Sequence, residues 1–227
     1  MLYQGLWITG TGTGVGKTVV SCFVASVLSE SKKIAVMKPF ASGNRNDAVF
    51  LRRFSKRQDL DLSDVNPIFF KEPLAPFSAS GFRKKRISTH RIDQAYRRLK
   101  DSSEFILVEG VGGLAVPITR ETTAAHWVRR LNLPILIVAH PWLGTLNHII
   151  LTFNYAQNMG LQVLGVVLNC SLRKKDISMK TNAQALDLLG IPVIGTLPFV
   201  SGTMEEKVKK LKRHSSGRKM ISWIKGL

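Results

Sequence analysis

The segment that most constrains this chain is Gly10-Thr-Gly-Thr-Gly-Val-Gly16-Lys17-Thr18, which follows the short apolar run Leu6-Trp7-Ile8 and opens a helix-length apolar pattern. Closely spaced glycines let successive backbone N–H groups turn inward around phosphate oxygens, and the helix that starts at Lys17 adds its partial positive charge. In such a P-loop the lysine reaches the β- and γ-phosphates and the threonine hydroxyl binds Mg²⁺. Gly10 and Gly16 are separated by five residues, one more than the usual four, and counting four puts Thr11 at the first glycine position. Strand, Gly-Lys-Thr and helix still coincide, so the expected ligand is ATP or GTP.

The rest of the chain alternates in the same way. Apolar runs at 6–8, 34–37, 105–108, 134–139, 163–168 and 193–197 read as strands buried on both faces of a parallel sheet. Amphipathic stretches at 17–30, 47–55, 88–99, 122–131, 145–159 and 178–189 read as helices, with Gly160 and Gly190 at the position after two of them where a left-handed turn is wanted. Repeated βα units of this kind predict an α/β fold: a doubly wound, mostly parallel sheet with helices on both faces, of the P-loop NTPase type. One domain over residues 1–227 is expected, with a basic C-terminal helix or tail at about 205–227 in which Met220, Ile221, Trp223 and Ile224 form an apolar stripe.

Composition narrows the function classes. With 33 Lys+Arg against 15 Asp+Glu the net charge is +18, a field that favours anionic partners. The densest basic runs, 83–86, 97–98 and 207–213, lack interleaved aromatics of the kind that stack on bases, and no nucleic-acid-binding motif is present. Neither nucleic acid nor membrane is therefore expected as a partner. No apolar run reaches the roughly 20 residues of a membrane span. The start, Met1 to Gly5, has neither the basic residues nor the cleavage site of a signal peptide. Cys22 and Cys170 lie far apart in apolar segments without metal-ligand spacing. The expectation is a cytoplasmic protein.

Three further residues carry chemistry. Glu109 leaves the apolar run Phe105-Ile-Leu-Val108 and starts Glu109-Gly110-Val111-Gly112-Gly113, the arrangement in which a carboxylate supports a metal near the γ-phosphate. Asp47 opens a helix after Ser42-Gly43-Asn44-Arg45-Asn46, where an acid is already stabilised by the helix dipole. Lys38 ends the second predicted strand and points to the ligand edge, where a second cation would neutralise a transferring phosphoryl group.

Taken together, the P-loop, Lys38-Pro-Phe-Ala-Ser-Gly43, Pro73-Leu-Ala-Pro76, Val108-Glu-Gly-Val-Gly-Gly-Leu-Ala-Val-Pro117, Leu143-Gly-Thr-Leu-Asn-His148 and Gly165-Val-Val-Leu-Asn169 resemble dethiobiotin synthetase, in that family's order and over nearly the whole chain. The resemblance implies a homodimeric, Mg·ATP-dependent ligase of biotin synthesis. In that family 7,8-diaminononanoate takes up CO2 as a carbamate, ATP phosphorylates it, and the second amine closes the ring. Carried over by motif, Thr18, Asp47 and Glu109 would hold the metal, and Lys17, Lys38 and Thr13 would serve transfer. Gly14, Val15, Gly16, Val19, Gly110, Val111 and Gly112 would surround the nucleotide phosphates. Asn169 would read adenine, with Cys170, Pro198, Phe199, Val200 and Glu205 around base and ribose. Ser42 would contact the diamine or carbamate. Leu143, Gly144, Thr145 and Asn147 would anchor the substrate carboxylate from the partner subunit.

Three positions depart from the family pattern: Gly12 replaces an Asp, Phe77 a His, and His140-Pro141-Trp142 a segment that often ends in a basic residue. The competing reading is a P-loop switch ATPase of the partition or assembly type. Such proteins usually carry a second lysine early in the loop, and residues 11–15 contain none. A related amidoligase would generally add a glutaminase domain, for which 227 residues leave no room.

Overall fold

In the computed structural model, residues 3–82, 84 and 86–227 are described, Phe82 by its backbone alone. Met1, Leu2, Arg83 and Lys85 lie outside the described residues, and with them part of the N-terminal segment and of the 83–86 basic run read above.

The six expected strands all form. They are β1 (Gly5–Gly10), β2 (Ile34–Met37), β5 (Phe105–Gly113), β6 (Ile135–Ala139), β7 (Val163–Asn169) and β8 (Val193–Leu197), with β3 (Phe40–Ser42) and β4 (Ile68–Phe70) between them in sequence. The main sheet has the order β2-β5-β1-β6-β7-β8, and every pairing in it is parallel. Its central strands are buried on both faces, which is why they carry unbroken apolar runs rather than alternation.

Ten α-helices accompany the sheet among the described residues. They are α1 (Lys17–Leu28), α2 (Asn46–Phe54), α3 (Leu62–Val65), α4 (Pro76–Phe82), α5 (Thr89–Asp101), α6 (Ala124–Leu131), α7 (Thr145–Asn158), α8 (Asn182–Leu188), α9 (Met204–Arg213) and α10 (Ser215–Lys225). The crossover from β1 to β2 runs one way along the strand order, and those into β5, β6, β7 and β8 run the other way. Right-handed connections therefore place α1 on one face of the sheet and α5 to α8 on the other. α9 and α10 return to pack against α1. The chain reverses around β1, so the loop after β1 opens at the switch point where ligands of doubly wound sheets bind.

Some boundaries differ from the sequence reading. β5 does not stop at Val108 but continues through Glu109 to Gly113, with a register irregularity against β1 where Gly10 pairs Gly113. The expected helix at 178–189 splits into a 3₁₀ turn (Ile177–Lys180) and the shorter α8. The tail is two helices rather than one. His214 has extended φ/ψ between them, and its ring Nδ1 accepts from the Ser216 N–H to cap α10. The apolar stripe is inside as expected: Met220 and Ile224 are fully buried and Ile221 and Trp223 half-buried. The small parallel pair β3–β4 and the short helices α3 and α4 had no counterpart in the sequence reading. Among the described residues no helix is long and apolar enough to cross a membrane.

Candidate active site

The loop after β1 is shaped by left-handed glycines, Gly14 at φ 81° and Gly16 at φ 86°. At Gly16 a side chain has no room: a Cβ there would collide with the Asn169 amide. Asn169, at the end of β7, donates from Nδ2 to the Val15 carbonyl at 3.0 Å and so ties the loop to the sheet. Lys17 opens α1, is almost fully buried, and donates from Nζ to the Gly12 carbonyl at 2.8 Å. Burial, reinforced by the nearby Lys38 ammonium, pushes the Lys17 pKa down to about 8. Around Gly12 the space is open, so the departure from Asp changes the side chain on offer without changing what the backbone can accept.

Opposite the loop a second cluster converges from three elements. Lys38 follows β2, and its main chain is clamped: its N–H donates to Val65 O at 2.7 Å and its carbonyl accepts from Asn66 Nδ2 at 2.7 Å. Its ammonium meets Glu109 Oε1 of β5 at 2.5 Å and Asp47 Oδ2 of α2 at 2.9 Å, and also the Gly110 carbonyl at 3.3 Å. Thr18 Oγ1 donates to the same Glu109 oxygen at 3.0 Å. Lys38 and Glu109 are buried, whereas Asp47 reaches solvent. Burial works against charge on Lys38, but Glu109 and Asp47 outweigh it and hold its pKa above the usual lysine value. For Asp47, burial pushes upward, yet the Lys38 ammonium and the hydrogen bonds from Lys38 and Thr18 bring its carboxyl below the usual range.

These groups line one cleft of about 490 Å³. Of the residues singled out in the sequence, Thr13, Gly14, Gly16, Lys17, Thr18, Lys38, Ser42, Asp47, Glu109, Val111 and Gly112 form its wall. Ser42 Oγ is buried at its edge with no hydrogen-bond partner among the described residues. Val15 lies buried beneath the loop, and Val19 packs against the core. Gly110 sits against the Trp7 indole. Asn169 adjoins the loop at Gly16, while Cys170, Pro198, Phe199, Val200 and Glu205 stand outside the cleft, Glu205 paired with Arg53 at 2.6 Å. Leu143, Gly144 and Asn147 are exposed around the start of α7, also outside it, and Thr145 is buried there, donating from Oγ1 to the His140 carbonyl at 2.5 Å. The His140 ring stacks on Trp142, with centroids 3.9 Å apart.

Phe40, Ala41, Asn44, Pro73 to Ala75 and Val116 complete the wall; all but Asn44 stood in the motifs quoted from the sequence, without a role of their own, and α4 is tied across by the Phe77 N–H donating to Pro117 O at 3.3 Å. Asn66, which fixes Lys38, was missed; the turn-forming Asn66-Pro67 pair was its available signal.

The donor set suits Mg²⁺. Thr18, Asp47 and Glu109 offer only hard oxygens, and Glu109 Oε2 is buried with no hydrogen-bond partner among the described residues. Two carboxylates and a hydroxyl are the kind of set that would hold Mg²⁺ together with substrate phosphates.

A parallel sheet with this loop at its switch point and a lysine–carboxylate cluster facing it defines a P-loop nucleotide-binding protein. A protein-family model described as an AAA domain matches residues 4–207. The cell-division protein MinD of Aquifex aeolicus, solved with MinC, superposes with a TM-score of 0.60 over 99% of this chain and 97% of that one, at 15% identity, a likeness of fold. The ATP-dependent dethiobiotin synthetase of Bacillus subtilis subsp. natto is 36% identical over 212 residues, 90% of this chain and 91% of its own length. That of Endomicrobium trichonymphae is 38% identical over 187 residues, 80% and 86% of the two chains. The chain belongs to the ATP-dependent dethiobiotin synthetase family.

Proposed function

We propose that this protein carries out the Mg²⁺- and ATP-dependent carboxylation and ring closure of 7,8-diaminononanoate with CO2, giving dethiobiotin, ADP and phosphate. The observation that carries this reading is the meeting of Lys17, Thr18, Ser42, Asp47 and Glu109 with the clamped Lys38 in one cleft beside the P-loop. A carbamate formed from one amine and CO2 is a poor electrophile until its oxygen is phosphorylated. That oxygen attacks the γ-phosphorus of ATP and ADP leaves. The second amine then attacks the carbonyl carbon of the carbamic–phosphoric anhydride, phosphate departs, and the nitrogen gives up a proton.

Such a transfer asks mainly for positioning and charge neutralisation. Lys17 serves the β- and γ-phosphates from within the loop, and Thr13, Gly14 and Gly16 shape its mouth. Lys38 and Ser42 face the diamine and carbamate; the unpartnered Ser42 hydroxyl supports this placement. Thr18, Asp47 and Glu109 would hold Mg²⁺, which when bound spreads the charge of the phosphate oxygens. Asn169, Cys170, Pro198 to Val200 and Glu205 follow β7 and β8 and offer a path for ribose and base along the same sheet edge. The start of α7, where Leu143, Gly144 and Asn147 are exposed around the buried Thr145, suits a carboxylate delivered from the second subunit of a homodimer. In this reading residues 1–227 act as one ligase domain in the cytoplasm, with neither nucleic acid nor membrane as partner.

The test is phosphate release from Mg·ATP with and without 7,8-diaminononanoate plus bicarbonate. Release that needs both additions is expected. Release without them, stimulated instead by DNA or lipid, would move the protein to the switch ATPases.

A further inference from the structure

We infer that Lys38 is an internal counterion that shares its two carboxylates with the metal, so that metal loading and release of the Lys38 ammonium into the cleft are one event. The inference rests on the metal assignment proposed above. Glu109 Oε1 accepts from both Lys38 Nζ, at 2.5 Å, and Thr18 Oγ1, at 3.0 Å, and Asp47 Oδ2 takes a second contact from the same ammonium at 2.9 Å. These carboxylates, with Thr18, are the groups a divalent cation would need, and the unpartnered Glu109 Oε2 lies on the same carboxylate that Lys38 holds. An ammonium and a dication drawing on them at once would place three positive charges around two negative ones inside a largely buried pocket. Such crowding is unfavourable where the effective dielectric is low.

Charge fixes what would relieve the conflict. Lys17, Lys38, Asp47 and Glu109 sum to zero, so a bare dication adds two uncompensated positive charges to the cluster. A metal arriving with a nucleotide triphosphate brings its own anions, and Lys38 gains a new negative partner in the phosphate and carbamate oxygens. The backbone at Lys38 stays in place throughout, because Val65 O and Asn66 Nδ2 hold it from both sides. Only the flexible four-carbon stem has to swing. Two consequences follow: the metal binds poorly without nucleotide, and Lys38 is turned toward the acceptor only when both are present.

The full-length protein can be titrated with Mn²⁺ and free Mn²⁺ read by its electron paramagnetic resonance signal, with and without a non-hydrolysable ATP analogue. The wild-type chain should bind Mn²⁺ weakly alone and roughly tenfold or more tightly with the analogue, within the usual range of coupling between two ligands. Lys38→Met should bind Mn²⁺ without nucleotide roughly tenfold more tightly than wild type. A second readout needs no variant: acetylation of Lys38, mapped by mass spectrometry, should rise in the unaltered protein as Mn²⁺ is bound. Equal Mn²⁺ affinity in the two chains, or acetylation of Lys38 indifferent to bound Mn²⁺, overturns the inference. Neither readout uses the diamine, so a failure of the substrate reading would show in phosphate release and leave these results as they are.

Discussion

Lys17 is nearly buried, holds a backbone carbonyl of its own loop, and has a pKa of about 8. Its role is chemical more than architectural, so Lys17→Gln should unfold within a few degrees of wild type by calorimetry. Turnover should fall on the order of 10²-fold or more, the usual loss when one preorganised donor to a transferring group is removed. The lowered pKa also sets a pH signature. Between about 8 and the ordinary 10.5 the unfolded chain holds a proton that the native chain has released, so this group makes stability rise with pH across that window. Phosphate bound at the loop favours the charged lysine. Nucleotide binding near pH 9 should therefore take up a proton, measurable by calorimetry in buffers of different ionisation enthalpy, and Lys17→Gln should abolish the uptake. Glu109→Ala removes one of two carboxylate partners from a buried ammonium. It should cost about 3 kcal/mol in chemical denaturation and move the Mg²⁺ requirement of turnover to higher concentration; an unchanged Mg²⁺ titration would place the metal elsewhere.

Among the elements, the corner between α9 and α10 is the tightest joint. A Cβ on Gly217 would run into the Leu211 carbonyl, which belongs to the preceding helix rather than to its own. Gly217→Ala should destabilise by about 1–3 kcal/mol through overpacking, and thermal unfolding should fall by several degrees, at roughly 2–4 °C per kcal/mol for a chain of this size. A melting temperature equal to wild type would mean that the corner yields freely. This joint also marks what the sequence could and could not tell. Long apolar runs such as 105–108 and 135–139 announced themselves because a strand covered on both faces has no other composition open to it. Lys17 and Thr18 were legible because they follow Gly16 at the opening of a helix, and Glu109 because it breaks an apolar run just before Gly110, whereas Lys38 and Asp47, with no glycine beside them, stood out chiefly through the family motifs. β3, β4, α3 and α4 are three to seven residues long, too short for a period of 2 or 3.6 to declare itself. The clamp from Asn66 to Lys38 joins residues through tertiary contact alone, and the break at His214 depends on a side-chain cap, so neither leaves a periodic trace.

Over the whole molecule the net charge of +18 is unevenly compensated. Arg98 with Asp64, Arg130 with Asp93 and Lys212 with Glu30 form surface pairs, while many of the remaining cations face water. Self-repulsion of this size opposes compactness and is screened by salt. The melting temperature should rise between 20 and 300 mM KCl, concentrations set by the roughly 10 Å screening length at 0.1 M, and a fall over that range would show that the pairs outweigh the repulsion. The main sheet carries the loop of Lys17, the end of β2 and Glu109, whereas the opposite wall comes from β3 and from the 73–75 loop between β4 and α4, tied across by the hydrogen bond from Phe77 to Pro117. Two workshops thus share one bench. On the proposed function, Pro73 to Ala75 are where a change of side chain would alter which substrate fits while leaving Lys17, Thr18, Lys38, Asp47 and Glu109 as they are, which makes this short loop the place for selection, in nature or in the laboratory, to write new substrate preferences.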